Sequence, residues 1–438
     1  MSEPRSGHQE MDRREFARLL GLGGSAAVLA DPSTVLDDVA TTRRRAQLRP
    51  TPPSPDEAFW EEVRRQFVLP DDLAFLNAAN LCPAPTPVLD VLRDRTRQLD
   101  RDPSPATKTK LQDEREITRQ RLAAFLRVTP EEIVLTRNTS EANNLVSSGL
   151  KLGPGDEVVI FSDNHPSNNI AWREKAARFG FTVRVVQQLN PHPGPDYYVD
   201  AFARAMTPNT RVVAFTHVTN SVGDRLPAKE ICALAREQGA LSLLDGAQSF
   251  GVFDVNLTDV RPDFYTGSAH KWPCGPKETG LLYVNRLAQD RIAPSVYSLY
   301  GGRVGVSRTL EAMGQRDEAA MIAFGEAVAF ETRIGMDVIE RRSLELTRAL
   351  VDGLSRLDGV KVWTHPDQGR TGAVVSFRPG SLDARKLVTA LYDKDRIVAT
   401  VRGGEDRPGV RLSPHFYNLH AEVDRTLAAV KRYLASGI

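Results

Sequence analysis

Two features are scarce in this 438-residue chain, and each scarcity excludes a class of protein. Cysteine occurs only at Cys82, Cys232 and Cys274, an odd number at wide spacing, which provides neither a disulfide framework nor a set of metal ligands. An excess of charge is also lacking, because 57 basic and 56 acidic residues leave a net charge of +1. No global field therefore favours nucleic acid. We predict no metal site and no nucleic-acid partner, and we interpret the cysteines as small packing residues.

The composition is otherwise that of a folded, soluble protein. Hydrophobic residues make up 41% of the chain, and 31 glycines and 28 prolines are spread along it. A chain of this length has room for one large and one small domain. Residues 31–58 differ, because they are rich in proline, threonine and arginine and lack an apolar period. We predict a flexible linker there.

Residues 1–30 predict an export signal. Arg13 and Arg14 are followed by an uncharged apolar run from Leu19 and by a plausible cleavage site after Ala30. This arrangement resembles a twin-arginine signal, and the run is too short to span a membrane. We expect export to the periplasm or beyond, with no integral membrane segment after the signal is removed. An amphipathic helix at the start of a cytoplasmic protein is the alternative.

A lysine in an apolar setting is the most informative single residue. Lys271 lies between a small polar turn and the run 280–284, which predicts a buried strand. Pro273 and Pro276 restrict the backbone beside it. A desolvated lysine amine loses its proton easily and condenses with an aldehyde, the chemistry of Schiff-base enzymes. The sequence therefore predicts an amine held at one point in a pocket.

A carboxylate is predicted near this amine. Residues 241–245 read as an apolar strand that ends in Asp245 at the carboxyl edge of a sheet, where ligands of open α/β folds bind. A pyridoxal cofactor needs a carboxylate there to keep its ring nitrogen protonated. Asp245 and Lys271 at neighbouring strand ends would form such a pair. In the alternative, Asp245 caps a turn and Lys271 is buried by chance.

The residues around this pair resemble the class V aminotransferase family of fold-type I enzymes, which depend on pyridoxal 5'-phosphate (PLP). Six positions match the D-x-A-Q and S-x-H-K motifs of that family: Asp245, Ala247, Gln248, Ser268, His270 and Lys271. The resemblance covers roughly residues 58–430, and within the family it is nearest to the isopenicillin N epimerase-like branch. It implies PLP as the cofactor.

Strands that alternate with helices over residues 130–285 predict a mainly parallel sheet covered on both faces. The resemblance adds an α/β, fold-type I architecture with a seven-stranded sheet in a large domain over residues 59–317. The arm 59–80 of this domain is expected to pack on the small domain. Residues 318–438 would provide a linking helix, predicted over 318–340, and a small α+β domain.

The resemblance also implies which residues hold the cofactor. A hydroxyl-rich turn at 137–141 opens a predicted helix whose amides and positive end would form a phosphate cup, although alone it would be an ordinary N-cap. His165 would stack on the ring and help to move protons, and Asn220 and Gln248 would face one ring edge. The implied cofactor-binding set is Thr139, Ser140, His165, Asn220, Asp245, Gln248, Ser268, His270, Lys271 and Gln315.

The segment 314–317 reads Gly-Gln-Arg-Asp where the family has G-T-R-D. In the family this loop reaches the phosphate of the neighbouring subunit's cofactor, so the resemblance implies a homodimer with active sites at the interface. Gln315 replaces the threonine and removes a hydroxyl contact, for which an amide N–H could substitute.

Substrate-binding residues are implied in the same way. Arg411, before Ser-Pro-His-Phe-Tyr-Asn, would clamp the α-carboxylate bidentately. Arg402 is a second candidate, with a surface role as its alternative. Asn80, or Asn77 on the same loop, would contact substrate, unless these are turn asparagines that bond their own backbone.

The implied catalytic residues are Lys271, Asp245 and His165, with Lys271 as the base at the α-carbon of an amino acid. An aminotransferase and an epimerase share these residues, and a β-elimination lyase is a further alternative. A non-catalytic PLP or amino-acid binding protein is the alternative outside enzymes. Persulfide chemistry of the desulfurase kind is disfavoured, because residues 403–409 contain no cysteine.

Overall fold

A computed structural model describes residues 48–403 and 406–438; the predicted signal and residues 31–47 of the predicted linker lie outside the described residues. The helices are α1 (Glu57–Arg64), α2 (Thr86–Arg101), α3 (Pro105–Leu126), α4 (Thr139–Gly149), α5 (Pro166–Phe179), α6 (Pro195–Ala205), α7 (Ala228–Glu237), α8 (Leu257–Val260), α9 (Ser307–Leu310), α10 (Glu318–Ile334), α11 (Met336–Ser355), α12 (Ala384–Asp395) and α13 (His420–Ser436). The strands are β1 (Ala74–Phe75), β2 (Ile133–Thr136), β3 (Glu157–Phe161), β4 (Thr182–Val186), β5 (Thr210–Thr216), β6 (Leu241–Asp245), β7 (Phe264–Ser268), β8 (Gly280–Val284), β9 (Val360–Val362), β10 (Val375–Pro379), β11 (Ile397–Val398), β12 (Thr400–Arg402) and β13 (Gly409–Leu412).

A seven-stranded sheet forms the centre of the molecule, in the order β2-β8-β7-β6-β5-β3-β4. Strand β8 runs antiparallel to β2 and β7, and the remaining neighbours are parallel. The residues of β2, β7 and β8 are buried along their whole length, as expected for a sheet covered on both faces. The predicted α/β, fold-type I architecture is confirmed.

The apolar residues of this sheet alternate between two cores. On β3, Val158 and Ile160 belong to one buried cluster, whereas Val159 and Phe161 belong to the other. Successive side chains of a strand point to opposite faces, so a continuous apolar run fills both cores at once. Each fully buried side chain of this kind contributes about 1.5–3 kcal/mol.

The strand register brings several carboxyl ends to one edge of the sheet. Thr216, the last residue of β5, pairs with Asp245, and Asp245 pairs with Thr266 near the end of β7. Because these strands are parallel, the loops that follow them leave the sheet side by side. Lys271 follows β7 by three residues and therefore belongs to the same edge.

A second, four-stranded antiparallel sheet has the order β12-β13-β10-β9. Its apolar core includes residues of α11, α12 and α13. The arm that precedes α2 joins this region, because β1 pairs in parallel with β11 through Ala74↔Ile397 and Phe75↔Val398. Residues more than three hundred positions apart are thus held against one another.

Two boundaries differ from the sequence prediction. The helix predicted over 318–340 is two helices, because α10 ends at Ile334 and Gly335 has φ +98°. A positive φ is incompatible with a continuous right-handed helix, and glycine adopts it without strain. The predicted linker 31–58 is too long at its end, since α1 begins at Glu57 and Asp56 accepts a capping hydrogen bond from the Phe59 amide at 2.9 Å.

The three cysteines are free and buried, in agreement with their interpretation as packing residues. Among residues 48–403 and 406–438, no helix has both the length and the apolar character that a membrane crossing requires.

Candidate active site

Asp245 is the most enclosed charged group at the sheet edge. It is the last residue of β6 and only 1% exposed. Its Oδ1 accepts from the Ala247 amide at 3.0 Å, and its Oδ2 accepts from Asn143 Nδ2 at 2.8 Å and from Asn168 Nδ2 at 3.5 Å. Within the described residues it makes no ion pair. A buried carboxylate with only neutral donors has room for a cationic partner.

The Asn143 amide is itself fixed, because its Oδ1 accepts a hydrogen bond from Thr266 Oγ1 at 3.0 Å. Asn143 therefore connects α4 to both β6 and β7. Asn143 is not among the site residues predicted from the sequence. A signal was present, since Asn143 lies four positions after Thr139 and so shares its face of the helix.

Lys271 lies in the turn between β7 and β8. Burial lowers the pKa of its amine to about 8; nearby Asp245 opposes this shift and Arg411 adds to it. A pKa near 8 leaves an appreciable fraction of neutral amine near physiological pH, which is the nucleophilic and basic form. Lys271, Asp245 and Arg411 are therefore close enough to influence one another.

The loop that carries Lys271 is anchored on both sides. Trp272 Nε1 donates to Gln248 Oε1 at 2.8 Å, and Gln248 Nε2 donates to the Ala79 carbonyl at 3.0 Å. The backbone of His270 accepts from the Cys82 amide at 2.7 Å. The predicted ring-edge residue Gln248 thus has its oxygen and one N–H committed to positioning, and one N–H remains. Burial lowers the pKa of His270 to about 4.

The residues predicted to form a phosphate cup lie at the start of α4. Asn138 caps this helix by accepting from the Glu141 amide at 2.9 Å. Thr139 donates its amide to Ser268 Oγ at 2.9 Å, and Ser268 Oγ donates to Thr139 Oγ1, also at 2.9 Å. Ser140 is exposed beside them. These hydroxyls meet at the positive end of a helix, an arrangement that suits a phosphate.

His165 precedes α5 and caps it. Its Nδ1 accepts from the Ser167 amide at 3.3 Å and lies 2.8 Å from Ser167 Oγ, which itself lies 3.1 Å from Ser140 Oγ. An accepting Nδ1 places the proton of the neutral ring on Nε2. Desolvation lowers the pKa of His165; Lys271 and Arg411 add to this effect and Asp245 opposes it. The histidine therefore belongs to the same cluster as the other three groups.

Arg411 reaches this cluster from β13. Its Nη1 donates to the Asn220 carbonyl at 2.9 Å and its Nη2 to Asn77 Oδ1 at 3.3 Å, whereas its buried Nε has no acceptor among the described residues. Burial lowers the pKa of Arg411 to about 10. Asn77 also accepts from Thr400 Oγ1 at 2.7 Å.

The asparagines of this region divide differently from the sequence prediction. Asn77 is buried and holds the arginine, whereas Asn80 is exposed, and no hydrogen bond joins Asn80 to Arg411 in the described part of the chain. Asn220 meets Arg411 through its backbone carbonyl. Of the two loop asparagines, Asn77 is therefore the one whose side chain is placed to orient Arg411.

Gln315 lies apart from the Lys271 cluster of its own chain. It is exposed and lines a cavity of about 560 Å³ together with Arg137, Glu141 and Val296. This cavity borders the first turn of α4 through Glu141. The contact of Gln315 with the cofactor of a neighbouring subunit stays a prediction.

Known proteins similar to this chain identify its family. Residues 75–426 match the family described as Aminotransferase class-V. Isopenicillin N epimerase from Amycolatopsis lactamdurans is 33% identical over 390 residues, which are 85% of this chain and 98% of that protein. A probable cysteine desulfurase from Methanothermobacter thermautotrophicus is 30% identical over 394 residues, which are 83% of this chain and 95% of that protein.

Solved structures extend the likeness to the fold. A mutant of C-DES with glycine covalently linked to its PLP cofactor superimposes with a TM-score of 0.77 at 24% identity, over 86% of this chain and 99% of that one. The family match includes all strands from β2 to β13, and with them Asp245, Lys271 and Arg411.

Proposed function

The chain belongs to the class V aminotransferase family, with PLP as its cofactor, and from this premise we propose that it acts at the α-carbon of an amino acid as an aminotransferase or an epimerase. One observation carries the proposal. His165, Asp245 and Lys271 follow strands of one sheet at its carboxyl edge, and Arg411 reaches that edge through its hydrogen bond to the Asn220 carbonyl. Together they supply a nucleophile, an anion, an aromatic ring and a carboxylate anchor.

The described residues fit this cofactor. The buried Asp245 carboxylate, which has neutral donors only, suits a protonated ring nitrogen, and the desolvated Lys271 amine suits the aldehyde. The serine and threonine hydroxyls at the start of α4 suit the phosphate. When bound, PLP supplies an electron sink for the α-carbon of the substrate.

The chain's own groups then divide the remaining work. Arg411 binds the α-carboxylate, with its unpaired Nε as a free donor. Lys271 removes the α-proton at Nζ, because its lowered pKa keeps part of the amine neutral. Asp245 keeps the ring-nitrogen proton in place, and Asn143 fixes the orientation of that carboxylate.

The fate of the α-proton separates the two candidate reactions. Epimerisation needs a proton delivered to the opposite face of the α-carbon by a group other than Lys271, whereas amino transfer results when no proton returns to the α-carbon. The similarity to isopenicillin N epimerases supports the first, and the family supports both. Persulfide chemistry is disfavoured despite the similarity to a probable cysteine desulfurase, because residues 403–409 contain no cysteine and all three cysteines are buried.

The test is a panel of L- and D-amino acids, with and without 2-oxo acids, offered to the holoenzyme. Product analysis by mass spectrometry and chiral chromatography separates inversion, amino transfer and elimination. Inversion or amino transfer that is lost in Lys271→Ala supports the proposal. Elimination products would make the enzyme a lyase, and unchanged substrates with a bound cofactor would make it a binding protein.

We also propose export and a homodimer. Export rests on Arg13 and Arg14 before the apolar run, and a reporter fused to residues 1–50 tests it. Retention of that reporter in the cytoplasm of cells with an active twin-arginine system would refute export.

The dimer is supported by the exposed apolar side chains of Tyr297 and Leu299, which adjoin Val296 on the rim of the Gln315 cavity.

A further inference from the structure

Two arginines lie on one face of the small antiparallel sheet. Arg411 on β13 pairs with Thr400 on β12, and Arg402 pairs with Gly409. Paired residues of an antiparallel ladder share a face, so Arg402 and Arg411 are diagonal neighbours on the same side. This face is directed at the active site, because Thr400 and Arg411 both bond Asn77. The proximity of Arg402 also contributes to the lowered pKa of Arg411.

A third arginine comes from the segment that joins these strands. Arg407 is 8% exposed and has φ +56°, a left-handed conformation that costs energy for a residue other than glycine. Its Nε donates to Asp406 Oδ2 at 2.9 Å, and its Nη2 lies 2.6 Å from Asp406 and 3.7 Å from Asp163 Oδ1. The segment ends at Gly409, where the Cβ of any other residue would lie 2.0 Å from the Phe377 carbonyl oxygen. The backbone therefore holds the Arg407 side chain in the interior of the protein.

The three guanidiniums carry more donors than their surroundings satisfy. The Nε atoms of Arg402 and Arg411 and the Nη1 atom of Arg407 are buried without an acceptor in the described ranges. Two carboxylates face the group. Asp163 also accepts from the Ser221 hydroxyl, and Asp406 has a side chain that is 77% exposed. Buried donors without acceptors are costly, so their recurrence on three neighbouring arginines points to an anionic ligand.

The group adjoins the reacting centre. Asp163 follows β3 and precedes His165 by two residues, and its partner Ser221 follows Asn220, whose carbonyl holds Arg411. If Arg411 binds the α-carboxylate, Arg402 lies farther along the same face and Arg407 lies beside Asp163, so both remain available.

We propose that Arg402 and Arg407 form a second anion subsite, and that the substrate is an amino acid whose side chain carries its own carboxylate. The inference rests on the proposed function in assigning the α-carboxylate to Arg411. A planar guanidinium fork suits a carboxylate better than a lysine would, because it binds both oxygens at once. The exposed Asp406 carboxylate occupies part of that fork and would move aside for the ligand.

The experiment measures binding without turnover. The holoenzyme is titrated calorimetrically with amine-free acids, glutarate against valerate and adipate against hexanoate, so that each pair differs only in the second carboxylate. We expect at least one dicarboxylate to bind roughly tenfold more tightly than its partner. Arg407→Gln and, separately, Arg402→Gln should remove most or all of this roughly tenfold preference.

Arg396→Gln is the matched control. Arg396 also has φ +56° and also pairs with an aspartate, Asp72, but at the surface of the molecule. Its replacement should leave the preference for dicarboxylates unchanged. Circular dichroism checks that each variant is folded, and the wild-type comparison remains decisive if a variant does not fold.

Equal binding of mono- and dicarboxylates by the wild type would overturn the subsite, as would a preference that survives in both arginine variants. Neither result would affect the role of Lys271, which the amino-acid panel tests independently. Conversely, a clear preference for dicarboxylates in a protein that converts no amino acid would retain the subsite and refute the proposed function.

Discussion

Asn143 Nδ2 lies 2.8 Å from Asp245 Oδ2 and donates to it, although the two residues are 102 positions apart. Asn143 belongs to the helix whose start we propose as the phosphate site, and Asp245 is the carboxylate that we propose for the ring nitrogen. The hydrogen bond therefore couples the two ends of the cofactor site through one side chain. It is the reason to treat Asn143 as a positioning residue.

Replacing Asn143 by alanine should weaken PLP binding and lower turnover, because Asp245 loses its shorter side-chain donor. A hydrogen bond to a charged group is worth about 1.5–3 kcal/mol, which corresponds to roughly a 10- to 100-fold weaker cofactor affinity. The measurement is PLP dissociation followed by visible absorbance. Asn144→Ala is the control, since Asn144 is exposed on the same helix. An equal loss in both variants would contradict the assigned role.

The reactivity of Lys271 should level off at an unusually low pH. Burial lowers its pKa from 10.5 to about 8, and the neutral amine is the reactive form. The rate at which apoprotein takes up PLP should therefore rise with pH, with a midpoint near pH 8 and a plateau about one pH unit higher. Because Asp245 raises the pKa of this amine, Asp245→Asn should move the midpoint to lower pH. A wild-type midpoint near 10 would show that the amine is not desolvated.

Glu311 should be essential for stability. It is 1% exposed in its side chain, accepts from Arg119 Nη1 at 2.8 Å and Nη2 at 3.0 Å, and accepts from the Leu135 amide at 2.7 Å. Removing one partner of a buried pair costs about 3–5 kcal/mol, because the other charge remains buried. Glu311→Ala should lower the free energy of unfolding by that amount in urea titrations.

A surface ion pair provides the comparison for Glu311. Asp337 and Arg341 pair at 2.7 Å, but both side chains are more than half exposed. Asp337→Ala should therefore cost less than about 1 kcal/mol. Similar losses for Asp337→Ala and Glu311→Ala would mean that burial does not decide the effect.

The proposed dimer should depend on Leu299, which is 96% exposed. Leu299→Asp places a charge in an apolar interface and should shift the protein towards monomer in sedimentation velocity, with a parallel loss of activity. Leu287, 81% exposed, lies on the 3-10 helix Arg286–Arg291 and is the control. Leu287→Asp should have no effect on either measurement. A wild-type monomer that is fully active would refute the interface.

The large sheet was predictable because its signals are local. Continuous apolar runs such as 241–245 and 280–284 identify buried strands without any knowledge of their neighbours. The break at Gly335 was not predictable in the same way. A single glycine is tolerated within a helical pattern, and only the backbone dihedral shows that α10 and α11 are separate.

The sequence by itself determined the chemical character of the site. Lys271, Asp245 and the turn before α4 lie at the ends of predictable strands, and parallel strands bring their ends to one edge. Only the tertiary structure decided which polar groups meet there. Asn77 reaches Arg411 across 334 positions, and Arg407 is turned inward by a left-handed backbone beside Asp163. Such contacts depend on how separate elements pack against one another. Neither the apolar period of a segment nor the spacing of residues along the chain encodes which distant residues meet.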